Sequence, residues 1–180
     1  MNKSIHHDLS KIDIYFINNL NKIINNSQLL STKQYIAHGN TSCLLHSIAV
    51  AYYSYKVAKY LKIISFHEKE LIRGALLHDY YLYDWHKKDS SHRLHGFFHP
   101  GKALKNAESD FNLSYIEKDI IKKHMFPLTL SPPRYRESIL VCIIDKICSL
   151  YETFKMGNYQ NLKNRLEFNT VINLRPLFNE

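Results

Sequence analysis

The chain has 180 residues, 45% hydrophobic and 22% charged, an ordinary balance for a folded soluble protein of one domain. Its formal charge of +8 suits an anionic partner, yet the basic residues are scattered, and pairs such as Lys87–Lys88 and Lys122–Lys123 are too short for a nucleic-acid-binding arm. No apolar run approaches a bilayer span, Met1–Lys11 lacks the apolar centre of a signal peptide, and Cys43, Cys142 and Cys148 form no CxxC pair; a cytoplasmic protein with buried, reduced thiols is expected.

Glycine and proline are few (five of each), strict apolar alternation is scarce, and spacings of three and four dominate, so the fold class is all-α. A first helix is predicted over Leu9–Ile24, with Ile12, Phe16 and Leu20 on one side, and a short second segment over Ser27–Ile36, closed by His38-Gly39-Asn40. Thr41 or Ser42 caps a long helix to about Leu61. Ser65 followed by Glu68 reads as a capping box that opens a helix to His78. A polar, His-rich connection covers Tyr80–Phe98. His99-Pro100 starts the next helix, with proline in its first turn where the missing N–H costs nothing, and it runs to about Phe111. Ser114 and Glu117 form another capping box, leading a helix to His124. After Pro127, Pro132 and Pro133 comes a long helix from Arg134 to Phe154, ended by Gly157-Asn158, and Tyr159–Leu166 suits one more.

Eleven histidines is a high count. His6, His7 and His67 read as solvated. His46 instead shares a helical face with Val50, Tyr53 and Val57; His78 shares one with Leu71 and Ala75; His124 follows Ile120 and Ile121; and Asp145 lies among Val141, Cys142, Cys148 and Ser149. An inward histidine is usually a hydrogen-bonded core residue. An ionised carboxylate on an apolar face is harder to place, because its burial costs several kcal/mol unless it is paired or bound to a cation. One shared metal centre accounts for all of these residues, since imidazole and carboxylate are good ligands for divalent ions and helix bundles build such sites from facing helices.

His46, the adjacent His78-Asp79 after Leu76-Leu77, and Asp145-Lys146 resemble the H…HD…D signature of the HD superfamily, and Gly74-Ala-Leu-Leu-His-Asp79 is similar to that family's central helix. The resemblance spans His38 to Glu152 and implies an HD-domain helical bundle over residues 36–156, with an N-terminal helical extension (1–35) packed on it and a C-terminal helical tail (157–180). It implies that His46, His78, Asp79 and Asp145 hold a divalent metal. His99 and His124 resemble the extra histidines of two-metal members, in which they and the bridging Asp79 hold a second ion; Mn, Fe, Mg, Co and Ni are all compatible. The HD-GYP branch shares the His-Pro step, but here Tyr80-Tyr81-Leu82 follows the HD pair and Met125-Phe-Pro-Leu128 follows His124, so cleavage of cyclic dinucleotides is not implied.

The implied activity is metal-dependent phosphohydrolysis of a small phosphate ester or nucleotide, in which a divalent ion makes hydroxide available at neutral pH. Lys102, Arg134 and Arg136 are candidate substrate-binding cations, His38 a candidate cleft residue, and His95 and Asp84 candidates to assist Asp79 in the chemistry. The same ligand order resembles that of HD relatives that use two irons and dioxygen, which makes a di-iron oxygenase acting on a small polar substrate the alternative. A non-catalytic nucleotide-binding domain is a third reading; it is disfavoured because no core ligand is missing and because Tyr52, Tyr53 and Tyr60 sit at core spacing, not in a basic, aromatic stripe. Membrane and nucleic-acid partners are not expected, and the oligomeric state is left open.

Overall fold

The computed structural model describes residues 10–84, 95–154 and 159–167, the side chains at 95 and 167 excepted. His6, His7, Lys87–Lys88, Gly157-Asn158 and the ends of the expected extension and tail lie outside the described residues. Among those described, the fold is mostly helical: α1 (Lys11–Ile24), α2 (Cys43–Tyr60), α3 (Glu68–Leu77), α4 (His95–Asp110), α5 (Tyr115–Lys123), α6 (Arg136–Thr153) and α7 (Gln160–Glu167), with a 3-10 helix over Leu29–Gln34. None of these helices is long and apolar enough to cross a membrane.

Helix α2 is the axis. It is buried on nearly every side, from Cys43, Leu44 and Leu45 to Tyr55 and Ala58, as expected of a helix that is apolar all round. Helices α3 and α6 pack on it, and α5 closes the bundle by touching both α3 and α6. One core runs through the described elements, from Phe16 and Leu20 of α1 through Ile48, Leu71, Ile72 and Ile120 to Leu162 and Leu166 of α7. The two outer helices also meet through polar groups. The buried Asp13 of α1 accepts from Tyr52 at 2.7 Å and from Arg165 of α7 at 3.1 Å.

Several boundaries differ from the sequence reading for identifiable reasons. The short second segment expected over Ser27–Ile36 is the 3-10 helix Leu29–Gln34, followed by a small antiparallel hairpin, β1 (Ile36–His38) and β2 (Thr41–Ser42). Gly39, with φ +58°, makes the tight turn, and a Cβ there would stand 2.5 Å from the Glu152 carbonyl oxygen of α6. The loop therefore packs directly on the end of α6, and only glycine fits both demands.

Ser65 does not cap α3. His67 is the N-cap residue and its side chain makes no cap bond; the buried Glu137 of α6 accepts from the His67 backbone N–H at 2.9 Å and contacts its Nδ1 at 3.1 Å. A tertiary contact thus supplies what a local serine was expected to give. In α4 the helix starts at His95, one turn earlier than predicted, so Pro100 sits inside it and forgoes the bond to the Gly96 carbonyl. Tyr60 is 74% exposed, not core. The box at Ser114 forms as read, with Ser114 N–H donating to Glu117 at 2.7 Å, and α1 has one too, between Ser10 and Asp13.

Candidate metal centre

Helices α2, α3, α5 and α6 converge so that one side chain from each points to a common centre. Their approach is tight by construction. Gly74 of α3 faces Ile120 of α5, where a Cβ would lie 2.6 Å from the isoleucine Cδ1. Each is four residues, about one turn, before a C-cap histidine, His78 and His124 respectively. The close crossing one turn below brings the two rings together, with centroids 4.8 Å apart.

The histidines are oriented before any ligand arrives. His78 Nδ1 donates to the Ala75 carbonyl at 2.7 Å and His124 Nδ1 to the Ile121 carbonyl at 2.9 Å. His46 Nδ1 lies 3.0 Å from both carboxylate oxygens of Glu152. In all three rings Nδ1–H is committed outward and Nε2 is turned inward. Glu152 is in turn bound by the Tyr159 hydroxyl at 2.8 Å.

The inward atoms are close together. His46 Nε2 is 3.1 Å from Asp145 Oδ1 and 3.8 Å from Asp79 Oδ2, and His78 Nε2 is 3.6 Å from both carboxylates. On the other side, His99 Nε2 lies 3.1 Å from Asp79 Oδ1 and His124 Nε2 lies 3.4 Å from it. Three overlapping sets can hold a metal ion: His46–His78–Asp79, His78–His124–Asp145 and Asp79–His99–His124, each with its ligand atoms within 4.8 Å of one another. All six residues are buried.

Two observations test whether these residues suit a cation. His78 Nε2 and Asp79 Oδ1 are buried and make no hydrogen bond of acceptable geometry, a costly state in a protein interior unless another partner sits between them. His99 Nε2 and His124 Nε2 face each other at 2.8 Å, a contact that is a hydrogen bond if one ring carries its proton on Nε2 and that suits two ligands of one ion if neither does. Two nitrogens bound at about 2.1 Å to one ion and at right angles would stand about 3 Å apart. The donor set fits a divalent ion on both counts.

The electrostatics agree. Burial disfavours ionisation of Asp145, but His46 and His78 outweigh it and hold the carboxyl well below the usual range. Asp79 behaves likewise, against burial, through His78, His124 and His99. Burial also opposes charge on His46, yet Glu152 and Asp145 raise its pKa well above that of a free imidazole. His124 shifts the other way, because its burial dominates. Both carboxylates are thus ionised and ready to bind a cation.

A cleft of about 960 Å³ opens beside the cluster. His38 lines it, its ring centroid 5.3 Å from that of His46. Lys146 lines it as well, its ammonium 2.6 Å from the His124 carbonyl and 3.6 Å from Asp145 Oδ2. The other expected residues are not among the described lining. Lys102 rests its ammonium over the Tyr83 ring at 4.3 Å, and Asp84 is half-buried in the segment after α3. Arg134 and Arg136 are exposed at the start of α6, about 13 Å along the helix from Asp145. Nine residues of helix separate Arg136 from Asp145, and Arg134 precedes the helix, so neither expected cation reaches the cluster. The His95 side chain lies outside the described residues.

Sequence reasoning missed Glu152, Tyr159 and Lys146 as members of this site. Glu152 falls seven residues after Asp145 on the same helical face, a spacing that places it beside the cluster, and Lys146 follows Asp145 directly. Comparisons with protein-family models, with curated proteins and with solved structures find no match for the chain.

Proposed function

We propose that this protein is a metal-dependent phosphohydrolase of the HD type, with two divalent ions held by His46, His78, Asp79, His99, His124 and Asp145. The observation that carries this reading is the convergence of four imidazole Nε2 atoms and two ionised carboxylates on one buried centre, with His78 Nε2 and Asp79 Oδ1 left without hydrogen bonds. The order of these residues along the chain matches the H…HD…D resemblance, and His99 and His124 reach Asp79 from the side opposite His46.

When bound, divalent ions supply Lewis acidity and bring a water near its ionised form at neutral pH. The chain's own residues do the rest. Asp79 lies between the two halves of the cluster, with Oδ2 towards His46 and His78 and Oδ1 towards His99 and His124, which is the disposition a bridging carboxylate needs. Glu152 fixes the His46 tautomer, as hydrogen-bonded carboxylates do for metal-binding histidines. Lys146 offers the described cleft a cation for a phosphate group, and its side chain is 39% exposed, so it is open to a ligand. His38 stands at the same opening, partly buried and held towards its neutral form by desolvation, able to accept a proton.

The decisive experiment is metal analysis of protein purified without chelators, then turnover of a panel of phosphate esters with Mn²⁺ or Fe²⁺, with and without air. Phosphate release that continues anaerobically supports hydrolysis. Strict dependence on iron and oxygen, with no ester cleaved, would assign the same ligands to an oxygenase.

A further inference from the structure

Tyr159, the residue before α7, is held in an unusual backbone conformation. Among the described residues it alone, glycine apart, has a positive φ, +57°. Bulky side chains rarely adopt that left-handed conformation, and it persists only where the surroundings over-determine it. Here they do. The ring is 7% exposed, with its centroid 5.2 Å from that of Tyr151 on α6 and 6.1 Å from that of Tyr53 on α2. The carbonyl accepts the Lys163 N–H at 2.8 Å and so opens α7, while the hydroxyl donates to Glu152 Oε1 at 2.8 Å. Further along α7, Leu162 and Leu166 enter the core and Arg165 reaches Asp13.

The hydroxyl has a task that packing does not explain. The Glu152 side chain is fully buried and, among the described residues, meets no lysine or arginine. Its two oxygens lie equally far from His46 Nδ1, 3.0 Å each, so the imidazole alone does not fix how the carboxylate is turned. Tyr159 bonds Oε1 only, and that second, directional bond fixes it. A metal-binding histidine is oriented by the group that holds its outer nitrogen. We propose that Tyr159 is a positioning residue for the metal centre: through Glu152 its hydroxyl sets the aim of His46, so that the seating of α7 and the binding of a divalent cation favour each other. The inference rests on the reading of His46 as a metal ligand, and not on which reaction the ion serves.

Coupling of this kind is reciprocal. If a seated Tyr159 strengthens cation binding by some factor, a bound cation stabilises the seated Tyr159 by the same factor. Helix α6 ends at Thr153, so the bond from Tyr159 closes the start of α7 back onto the last turn of α6. The chain beyond α6 is then part of the scaffold of the centre, although its described residues supply none of the six ligands.

Calorimetric titration of chelator-treated, full-length protein with Mn²⁺ tests this. Tyr159→Phe keeps the ring and its packing and removes only the hydroxyl, so the fold should persist. Its Mn²⁺ affinity should fall several-fold, less than the loss of about 10-fold or more expected when the carboxylate behind a ligand is itself removed. A residue that acts through Glu152 adds nothing once Glu152 is gone, so Glu152→Ala should bind Mn²⁺ equally well with or without Tyr159→Phe. A merely structural role would lower affinity by the same factor in both backgrounds. If Glu152→Ala misfolds, hydrogen exchange supplies the second measurement. Saturating Mn²⁺ should slow exchange over both α2 and α7 in the parent, and over α2 but not α7 in Tyr159→Phe. Unchanged affinity in Tyr159→Phe, additive losses, or metal protection of α7 that survives without the hydroxyl would each overturn the proposal and leave the metal reading standing. A parent protein that binds no Mn²⁺ would remove both.

Discussion

Glu152 holds His46 by its Nδ1, with both carboxylate oxygens at 3.0 Å, and Tyr159 fixes one of those oxygens from outside the His/Asp cluster. This contact decides which nitrogen of His46 faces the centre. Replacing Glu152 by Ala should lower affinity for Mn²⁺ by about 10- to 100-fold, the usual cost of removing a carboxylate behind a ligating histidine. Glu152→Gln should lose less, because its amide oxygen still accepts from Nδ1–H. Calorimetric titration of chelator-treated protein measures both, and equal losses would show that charge, not orientation, is what Glu152 provides.

The same contact predicts that any metal binding at this cluster depends on pH. Burial opposes charge on His46, but Glu152 and Asp145 outweigh it and raise its pKa, so without metal the ring holds its proton to higher pH than a free imidazole does. A metal binds only the neutral ring, and its arrival must release that proton. Affinity should therefore rise with pH through and beyond the ordinary imidazole range, with protons released on binding. Titrations in buffers of different ionisation enthalpy count them.

Much of this centre was legible from helical spacing. His46, His78, His124 and Asp145 lie on apolar faces of predicted helices, and the structure turns all four inward. His99 was legible only through resemblance, since its reach to Asp79 depends on how α4 crosses α5. Contacts between distant segments were not legible. Glu137 bonding to His67 across 70 positions replaces a local cap, and Gly39 packs against a carbonyl 113 residues later, as no local pattern announces. The β1–β2 hairpin was missed because its strands have three and two residues, too short for alternation to register.

Gly74 and Ile120 fix the distance between α3 and α5, and a side chain at 74 has no room. Gly74→Val should destabilise the protein by about 1–3 kcal/mol, the range for an overpacked core. It should also weaken metal binding, because His78 and His124 sit one turn above. Thermal unfolding with and without metal measures the two effects. The double change Gly74→Val with Ile120→Ala should recover part of the stability, and failure to recover any would mean that the backbone, not this contact, suffers.

Asp13 contributes to the acid limb of stability at the opposite end of the core. Burial would raise its pKa, but bonds from Tyr52, Ser10 and Arg165 prevail and lower it. A carboxyl whose folded pKa lies below its unfolded value contributes stability above the unfolded value, near pH 4, and loses it as pH falls through the folded value. Asp13→Asn should thus be less stable than the parent at pH 7, by about 1–3 kcal/mol given hydrogen bonds to a charged group. The two proteins should converge as pH falls through the lowered folded value, where Asp13 is itself neutral. Denaturant unfolding at pH 3, 5 and 7 reads this directly.

His124 separates one ion from two. Its Nε2 reaches Asp79 Oδ1 beside His99, whereas His46 and His78 approach Oδ2. If two ions bind, purified protein should hold about two per chain, and His124→Ala should remove one while leaving the other near its original affinity. Because His124 also belongs to the group with His78 and Asp145, the remaining ion should bind somewhat more weakly. The folded core should persist, since the ring's protein contacts beyond the cluster reduce to one bond to the Ile121 carbonyl within its own turn. Elemental analysis alongside circular dichroism distinguishes the outcomes. A stoichiometry fixed at one, unchanged by His124→Ala or His99→Ala, would leave His46, His78, Asp79 and Asp145 as the metal set and make the two remaining histidines cleft residues.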